Sequence, residues 1–349
     1  MTPLEKHMRY LVTGGAGFIG SNFIRYLFTK YGDDARVVNL DKLTYAGIRE
    51  NLAEFEGKPN YLFLQGDIAR PDDVAQAYKG VDGSGVDVVV NFAAETHVDR
   101  SLMEAGTFIE TDVHGVLVLL EEARKHAPNL RRFIQISTDE VYGSIDSGSF
   151  NELDPLNPRN PYSASKAGGD RMAYAYGQTY KLPVIVTRAS NNFGPFQYPE
   201  KLIPLFVTNA IDDLPLPLYG DGRNVRDWLF VEDHCAAIDF LIEHGQNDEV
   251  YNVGGGNERE NREITQRILE LTNKPQTLIK PVADRQGHDR RYSLNTDKLA
   301  KLGFQCNTDF DAALEKTVRW YLDNGTWWRA IKERSAEFKE WMQKQYGAR

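Results

Sequence analysis

Short apolar runs alternate with amphipathic stretches along the first half of the chain. An apolar run bounded by turn residues predicts a strand covered on both faces, and hydrophobic positions at roughly every third or fourth residue predict a helix. The predicted strands are Arg9–Thr13, Val37–Leu40, Tyr61–Gln65, Val86–Asn91, Arg132–Ser137 and Val184–Arg188. The predicted helices are Phe18–Lys30, Asp72–Tyr78, Thr107–Lys125 and Tyr162–Tyr180. This alternation predicts an α/β protein with a Rossmann-type, doubly wound parallel sheet.

The pattern changes after about residue 190, where turn residues become frequent and the elements shorter. Turns are predicted at Gly194-Pro195, Gly220–Gly222 and Gly254–Gly256. Helical periodicity returns over Arg262–Asn273 and Thr308–Asp323. We therefore predict a Rossmann-type domain over residues 1–190 and a smaller, mixed α/β C-terminal lobe over residues 191–349, with the chain able to cross between them more than once.

The composition narrows the class of protein. The 349 residues are enough for about two domains. A net charge of −9 disfavours a protein that tracks nucleic-acid phosphates. The two cysteines, Cys235 and Cys306, do not have the spacing of metal ligands, so no metal site is predicted. Two cysteines are also too few to form a disulfide framework in a chain of this size. A polar N-terminus, and no apolar run near the ~18 residues of a membrane span, predict a cytoplasmic protein without membrane contact.

A glycine-rich turn follows the first predicted strand. Gly14, Gly17 and Gly20 stand between Tyr10–Thr13 and a helical pattern, which is the context of a dinucleotide-binding loop. Glycines there permit a tight turn, a close approach of the backbone to a pyrophosphate, and a helix N-terminus that faces the phosphates. The second predicted strand ends at Asp41, 21 residues after Gly20. A carboxylate at this place accepts hydrogen bonds from a ribose and repels a 2′-phosphate, which favours NAD over NADP.

Further candidates for the cofactor site follow the next two predicted strands. Asp67 and Ile68 come after the third strand, where they could flank the adenine. Phe92, Ala93 and Ala94 come after the fourth strand, where small residues let a cofactor lie close to the sheet. Doubly wound sheets bind ligands at the carboxyl ends of their strands, so we expect both segments to meet the glycine-rich turn.

A tyrosine and a lysine stand one helical turn apart at the start of the predicted Tyr162–Tyr180 helix. Tyr162 and Lys166 share one helix face at this spacing. Oxidation of a sugar alcohol requires a base for the hydroxyl proton, and a free phenol with a pKa of about 10 is a poor base at neutral pH. An ammonium group and a positively charged nicotinamide both favour the phenolate. The pair therefore predicts alcohol oxidation with hydride transfer.

Two adjacent carboxyls, Asp139 and Glu140, end the fifth predicted strand. Their chemistry fits an elimination: once C4 of a hexose is a ketone, the C5 proton is acidic enough for Glu140 to remove. The C6 hydroxyl leaves poorly unless protonated, which suits Asp139 as the acid. Neighbouring carboxyls in a closed site tend to share one proton, which yields one acid and one base. Thr138 is placed to hydrogen-bond the C4 oxygen or Tyr162.

Taken together, these motifs resemble the extended short-chain dehydrogenase/reductase family, and within it the enzymes that dehydrate sugar nucleotides. The resemblance covers nearly the whole chain. The motifs are Gly14–Gly20, Asp41–Gly47, Ala93–Ser101, Ser137–Gly143, Tyr162–Lys166, Asn191–Pro195, Val225–Trp228 and Gly287–Tyr292. The sequence departs from the family at Thr96, where serine is expected, at Asp112, where asparagine is usual, and at Phe193 and Phe196, where tyrosines are common.

The resemblance implies the reaction and its ligands. The substrate would be dTDP-glucose, oxidised at C4 with Tyr162 as base, dehydrated across C5 and C6 by Glu140 and Asp139, and reduced at C6 by the returning hydride. Implied cofactor contacts, beyond those above, are Phe18, Ile19, Lys42, Thr44, Thr96, Thr111, Tyr162, Lys166 and Asn192. Implied substrate contacts are Thr96, Thr138, Asn191, Lys201, Leu202, Pro217, Tyr219, Arg226, Asn261, His288, Arg291 and Tyr292. The family also implies a homodimer that pairs the predicted helices Thr107–Lys125 and Tyr162–Tyr180.

Two other functions compete with this interpretation. A 4-epimerase, or a decarboxylase of a nucleotide-linked uronic acid, would use the same scaffold, but an epimerase has no need for the acid that Asp139-Glu140 supplies. A catalytically idle NAD-binding sensor would be expected to lack Tyr162, Lys166 or the carboxyls, and all four are present. Residue types do not decide between thymine and uracil, which differ by one methyl group, so the thymidine nucleotide is implied by the resemblance alone.

Overall fold

The computed structural model describes residues 8–284, 289–334 and 338–340. Its strands are β1 Met8–Thr13, β2 Ala35–Asp41, β3 Tyr61–Gln65, β4 Val88–Asn91, β5 Arg132–Thr138, β6 Val184–Ala189, β7 Asn191–Phe193, β8 Leu216–Tyr219, β9 Val225–Phe230, β10 Glu249–Val253, β11 Glu258–Glu260 and β12 Ile279–Val282. Its α-helices are α1 Phe18–Tyr31, α2 Pro71–Ala77, α3 Val98–Ser101, α4 Ala105–Ile109, α5 Val116–His126, α6 Pro161–Tyr180, α7 Leu202–Ile211, α8 Val231–His244, α9 Asn261–Leu271, α10 Asp297–Leu302, α11 Phe310–Asp323 and α12 Gly325–Arg334. A π-helical turn, Glu110–Gly115, joins α4 to α5.

The central sheet consists of seven parallel strands in the order β10-β6-β5-β4-β1-β2-β3. Strands β1 and β4 are neighbours although two other strands separate them in the chain, so the order reverses between them. In a doubly wound sheet this reversal opens a crevice at the carboxyl ends of the strands. The smaller sheets have the orders β11-β9-β7 and β12-β8. The predicted fold class, a Rossmann-type sheet with a smaller mixed lobe, is confirmed.

Both faces of the central sheet are covered by helices, as the apolar runs predict. Successive side chains of a strand point to opposite faces. Tyr10 and Val12 therefore pack in one buried cluster with residues of α1 and α8, while Leu11 packs in a second cluster with residues of α2, α5 and α6. Each of the six predicted strands is present, with its ends shifted by two residues at most.

The chain returns to the central sheet after the predicted division at residue 190. Strand β10, Glu249–Val253, pairs in parallel with β6 and forms the edge of the sheet. The pattern of apolar positions does not predict α7 or β10. Helix α7 is buried on nearly all sides, so it lacks the polar face that reveals a helix, and β10 is a short run whose partner is distant in sequence. The division itself stays a prediction.

The predicted Thr107–Lys125 helix is present but not uniform. It comprises α4, the π-helical turn and α5, and a π turn places one residue out of step with the regular helical spacing. Within the described ranges, no helix combines the length and the apolar character that crossing a membrane requires.

Candidate active site

A cavity of about 440 Å³ lies at the carboxyl ends of the central strands. Its wall includes Gly14 after β1, Asp41 at the end of β2, Phe92 after β4 and Thr138 at the end of β5. Each predicted catalytic residue and each predicted cofactor contact lies in this wall. The sheet topology thus brings together segments that are far apart in the sequence, although the individual roles stay predictions.

The glycine-rich turn is too crowded for side chains. Gly14 has a φ of +66°, and a Cβ atom there would lie 2.6 Å from the backbone nitrogen of Ala93. A Cβ atom at Gly20 would collide with the carbonyl oxygen of Gly14. Gly17 caps the N-terminus of α1 without any side chain, so the amide groups of the first helical turn face the cavity side of the loop. This is a cradle suited to a pyrophosphate.

Asp41 holds the loop as well as ending β2. Its Oδ2 atom accepts a hydrogen bond from the amide of Ala16 at 2.8 Å, and Oδ1 accepts one from the amide of Leu43 at 2.8 Å. A carboxylate has lone pairs beyond these two bonds, so it can also accept from a ribose. The neighbouring Lys42 lies beside the predicted ribose position. Its ammonium group forms an ion pair with Asp67 at 2.7 Å, so its charge is already paired with a carboxylate. The described residues thus fit NAD better than NADP.

The carboxyl pair lies at the end of β5, where a short 3₁₀ turn begins. The Thr138 hydroxyl donates to Asp139 Oδ1 at 3.1 Å, and the Glu140 amide donates to the Thr138 oxygen at 3.3 Å. The Asp139 side chain is buried, and its Oδ2 atom has no hydrogen-bond partner among the described residues. Burial, followed by the charges of Glu140 and Asp227, raises the pKa of Asp139 well above its usual range. This shift favours the protonated form of Asp139, which is the form that an acid needs.

The tyrosine and the lysine lie on the first turns of α6. Asn160 and Ser163 form a capping box that fixes this end of the helix. Lys166 Nζ donates to the carbonyl oxygen of Ile136 at 2.9 Å, and burial lowers the pKa of Lys166. Burial and the charge of Glu140 raise the pKa of Tyr162 well above 10, whereas its hydrogen bond with Thr138 lowers it. Thr138 consequently links the tyrosine to the carboxyl pair.

The predicted nucleotide-side residues reach the cavity from the smaller lobe. The residues in the wall are Asn191, Lys201, Leu202, Pro217, Tyr219, Arg226 and Asn261. Lys201 Nζ lies 3.3 Å from Thr96 Oγ1. The guanidinium of Arg226 donates to the carbonyl oxygen of Asp289 at 2.9 Å and stacks over the ring of Tyr292 at 4.4 Å. Asp289 and Tyr292, which lie outside the described cavity wall, thus fix the position of the Arg226 guanidinium.

Three predicted substrate contacts are not among the described residues of the wall. Tyr292 is buried behind Arg226 and donates to Asp289 Oδ2 at 2.7 Å. Arg291 forms an ion pair with Glu258 at 2.8 Å and also donates to the carbonyl oxygen of Gly148. His288 lies outside the described residues. In this structure, therefore, Tyr292 supports a wall residue and Arg291 is engaged elsewhere.

Several wall residues escape sequence reasoning. Glu95, Glu200 and His234 line the cavity, and each would pass as an ordinary surface or core residue in the sequence. His234 is fully buried, and its Nδ1 atom lies 2.9 Å from Asn192 Oδ1. Burial lowers the pKa of His234 to about 3, so the ring is neutral. Only the position of Glu95 inside the Ala93–Ser101 motif is a signal that the sequence contains.

Known proteins match the chain over most of its length. The GDP-mannose 4,6-dehydratase family matches residues 11–317. A dTDP-glucose 4,6-dehydratase from Streptomyces antibioticus is 48% identical over 334 residues, which is 94% of this chain and 97% of that protein. A double mutant of DesIV, a dTDP-glucose 4,6-dehydratase from Streptomyces venezuelae solved with NAD and DAU bound, has a TM-score of 0.89 and 49% identity, covering 93% of this chain and 100% of that one.

The fold also extends to epimerases. The UDP-glucose 4-epimerase of Thermus thermophilus, solved with NAD, has a TM-score of 0.83 and 29% identity, covering 91% of this chain and 100% of that one. The higher identity is therefore to the dehydratases, and the predicted resemblance to sugar-nucleotide dehydratases is confirmed. By the extent of the match, this chain belongs to the GDP-mannose 4,6-dehydratase family.

Proposed function

We propose that this protein binds NAD and converts dTDP-glucose into dTDP-4-keto-6-deoxyglucose and water. The proposal rests above all on one observation: the Tyr162–Lys166 pair and the Asp139–Glu140 pair line one cavity and meet at Thr138. Alcohol oxidation needs only the first pair, whereas loss of water also needs an acid and a base. Identity of 48–49% to dTDP-glucose 4,6-dehydratases over most of the chain supports the thymidine nucleotide.

The wall of the cavity offers candidate partners for three parts of NAD. Gly14 and Gly17 would admit the pyrophosphate to the N-terminus of α1, Asp41 would accept from the adenosine ribose, and Asn192 would contact the nicotinamide side. Bound NAD supplies the hydride acceptor for oxidation at C4 and the hydride donor for reduction at C6. Each turnover thus leaves the cofactor unchanged, which agrees with a deep site.

Tyr162 takes the C4 hydroxyl proton in the proposed reaction. Its pKa is raised by burial and by Glu140, so the phenol needs nearby positive charge before it can act as a base. Lys166 provides an ammonium group one helical turn away. A hydrogen bond with Thr138 lowers the pKa of Tyr162. Because Thr138 has one hydroxyl proton, it stabilises the phenolate when that proton turns from Asp139 Oδ1 to the Tyr162 oxygen.

Asp139 and Glu140 then remove water from the 4-keto sugar. Glu140 takes the proton from C5, the electrons of that C–H bond form a C5–C6 double bond, and the C6–O bond breaks. Asp139 gives its proton to the departing hydroxyl, so water leaves rather than hydroxide. When C6 is then reduced, Glu140 returns its proton to C5, which completes the 4-keto-6-deoxy sugar. The raised pKa of Asp139 supports its assignment as the acid and that of Glu140 as the base.

The wall also distinguishes this reaction from its rivals. An epimerase shares the fold and the tyrosine–lysine pair, but it has no step that would use a buried Asp139 with a raised pKa beside a second carboxyl. An idle NAD-binding sensor would not need a lysine fixed on the carbonyl of Ile136. The dehydratase is therefore the function that accounts for the largest part of the site.

Turnover of dTDP-glucose tests the proposal directly. The purified protein is incubated with dTDP-glucose or UDP-glucose, and the alkali-induced absorbance of a 4-keto sugar is followed. A variant with Asp139→Asn and Glu140→Gln keeps the shape of both side chains and removes their proton chemistry. We expect rapid ketone formation from dTDP-glucose by the wild type and its loss, by about a hundredfold or more, in the variant.

The outcomes separate the alternatives. Ketone from neither nucleotide by a protein that still binds NAD would refute the dehydratase and favour the sensor. Accumulation of a C4 epimer instead of ketone would favour the epimerase. A faster reaction with UDP-glucose would leave the reaction type intact and change the nucleotide.

We also propose that the protein is a homodimer that pairs α4, α5 and α6 with the same helices of a second copy. Leu102, Met103 and Ile109, at or just before α4, are each more than half exposed, and Tyr180 at the end of α6 is 48% exposed. Exposed apolar side chains favour burial against a partner. Sedimentation of the wild type as a dimer, and of Ile109→Asp as a monomer, would support the proposal; a monomeric wild type would refute it.

A cytoplasmic location is proposed as well. Cys235 and Cys306 are free thiols in the described structure, and unpaired cysteines are typical of reducing compartments. Detection of the protein in the soluble cytoplasmic fraction of its source cells would support this location, and detection in a secreted fraction would refute it.

A further inference from the structure

A carboxylate outside the cavity wall faces the catalytic helix. Asp112 is 2% exposed and lies in the π-helical turn between α4 and α5. π turns within helices are frequent at functional sites, because they displace a residue from the regular spacing. The Asp112 carbonyl oxygen packs so closely on α6 that a Cβ atom at Gly169 would collide with it. The two helices are therefore close enough for the Asp112 side chain to reach the start of α6.

Both carboxylate oxygens of Asp112 are held in place. The hydroxyl of Ser165 donates to Oδ2 at 2.6 Å, and the amide of Glu95 donates to Oδ1 at 2.9 Å. Ser165 directly precedes Lys166 on α6, and both of their side chains are buried. Glu95 lies in the cavity wall. Asp112 thus ties the segment after β4 to the residue beside the catalytic lysine.

The charge of Asp112 acts on the groups that move protons in the proposed reaction. Burial lowers the pKa of Lys166, and Asp112 is the strongest charge that opposes this shift. After burial and Glu140, Asp112 is the next contributor to the raised pKa of Tyr162. Burial raises the pKa of Asp112 itself to about 6, so it is a carboxylate at and above neutral pH. The other ionisable groups that face these residues are Glu95, Asp139, Glu140 and Asp170.

We propose that Asp112 is a positioning residue: its fixed carboxylate is the counter-charge that keeps Lys166 an ammonium while Tyr162 accepts and returns a proton. This inference rests on the proposed dehydratase function. A negative charge raises the pKa of every ionisable group near it. Removing the charge of Asp112 should therefore lower the pKa of Tyr162 and that of Lys166 together, and both limbs of a bell-shaped pH profile should move the same way.

The variant Asp112→Asn isolates the charge. The amide has the same shape as the carboxylate, and its oxygen can still accept from the Glu95 amide. The rate of 4-keto sugar formation is measured as a function of pH for wild type and variant, together with melting temperature and bound NAD. We expect both limbs to shift to lower pH by about one unit. A structural role alone would reduce the rate or the stability without moving either limb.

Ser165→Ala is the matched control, because it removes the hydrogen bond at Oδ2 and leaves the charge of Asp112 in place. The Ser165 hydrogen bond also lowers the pKa of Asp112, which is about 6, so its loss moves the ionisation of Asp112 to higher pH. At alkaline pH Asp112 is ionised with or without this bond, so the basic limb of the control should coincide with that of the wild type. An active Asp112→Asn enzyme with unmoved limbs, or limbs that move in opposite directions, would overturn the proposal.

Two further outcomes are decisive. If Asp112→Asn does not fold, Asp112→Ser carries the same test, since it also lacks the charge. Failure of both to fold, while Ser165→Ala folds, would make Asp112 a structural residue and overturn the proposal. If the wild type itself yields no ketone, the dehydratase function fails first, and the inference about Asp112 falls with it.

Discussion

Gly14 shows how one residue decides whether the cofactor fits. Its φ of +66° is unfavourable for any other residue, and a Cβ atom would meet backbone atoms of Phe92 and Ala93 that cannot rotate away. We expect Gly14→Ala to weaken NAD binding roughly tenfold or more, from about 1–3 kcal/mol of strain. Titration of NAD into the protein measures this. Gly106→Ala is the control, since a Cβ atom there meets nothing within 4 Å, and equal NAD affinity in the two variants would contradict the prediction.

Glu95 gives a prediction for stability as a function of pH. Burial, together with the charge of Asp112, raises its pKa from 4.5 to about 7 in the folded protein. Between these values the unfolded chain releases the proton more readily, so the folded wild type loses stability as the pH rises. Glu95→Gln has no such loss. The difference in melting temperature between this variant and the wild type, both free of nucleotide, should therefore increase in favour of the variant up to about pH 7 and stay constant above it. A difference in melting temperature between Glu95→Gln and the wild type that does not change with pH would refute this assignment.

At the scale of elements, three connecting segments meet over the cavity. The Tyr45 hydroxyl, in the loop after β2, donates to Glu200 Oε1 at 2.9 Å, just before α7. Arg100 of α3 pairs with the same carboxylate at 3.2 Å and stacks on the Tyr45 ring at 3.5 Å. The adjacent Lys201 is a proposed substrate contact. This cluster, Tyr45–Arg100–Glu200, therefore joins the cofactor side of the cavity to the nucleotide side.

Loss of the Tyr45 hydroxyl should loosen that junction. We expect Tyr45→Phe to raise the KM for dTDP-glucose about fivefold, which corresponds to the ~1 kcal/mol of one hydrogen bond, with a smaller effect on kcat. Steady-state kinetics measure the two constants separately. Tyr180→Phe, at the exposed end of α6, should leave both unchanged. Equal changes in KM for the two variants would show that Tyr45 does not act through Glu200.

Elements with a local sequence pattern can be predicted from the sequence, whereas elements that depend on tertiary contacts cannot. Strands β1 to β6 are predicted because each is a short apolar run, and Tyr162–Lys166 because a helical turn fixes its spacing. Helix α7 is hidden by its uniform burial, and Glu200 becomes a wall residue only because Arg100 and Tyr45 fold against it. Arg291 is chemically suited to a phosphate, but no local pattern reveals that Glu258 engages it.

At the scale of the whole molecule, one buried ion pair fastens the catalytic helix to the sheet. Arg188 of β6 bonds Asp170 of α6 at 2.8 Å, and both are 1% exposed. Asp170→Asn would leave Arg188 charged in the interior, so we expect it to lower the free energy of unfolding by about 3–5 kcal/mol. Chemical denaturation measures this. Glu54→Gln breaks the exposed pair with Arg25 and should cost about 1 kcal/mol or less, so equal losses would contradict the prediction.

The return of β10 to the central sheet has a consequence for dividing the gene. A fragment that ends at residue 190 would present the outer edge of β6 as a row of unpaired amide and carbonyl groups, because Glu249–Val253 covers that edge in the intact chain. Bare edges of this kind recruit strands from other molecules. Separately expressed halves should therefore aggregate alone and recover solubility only when they are produced together, as complementing pieces of one sheet.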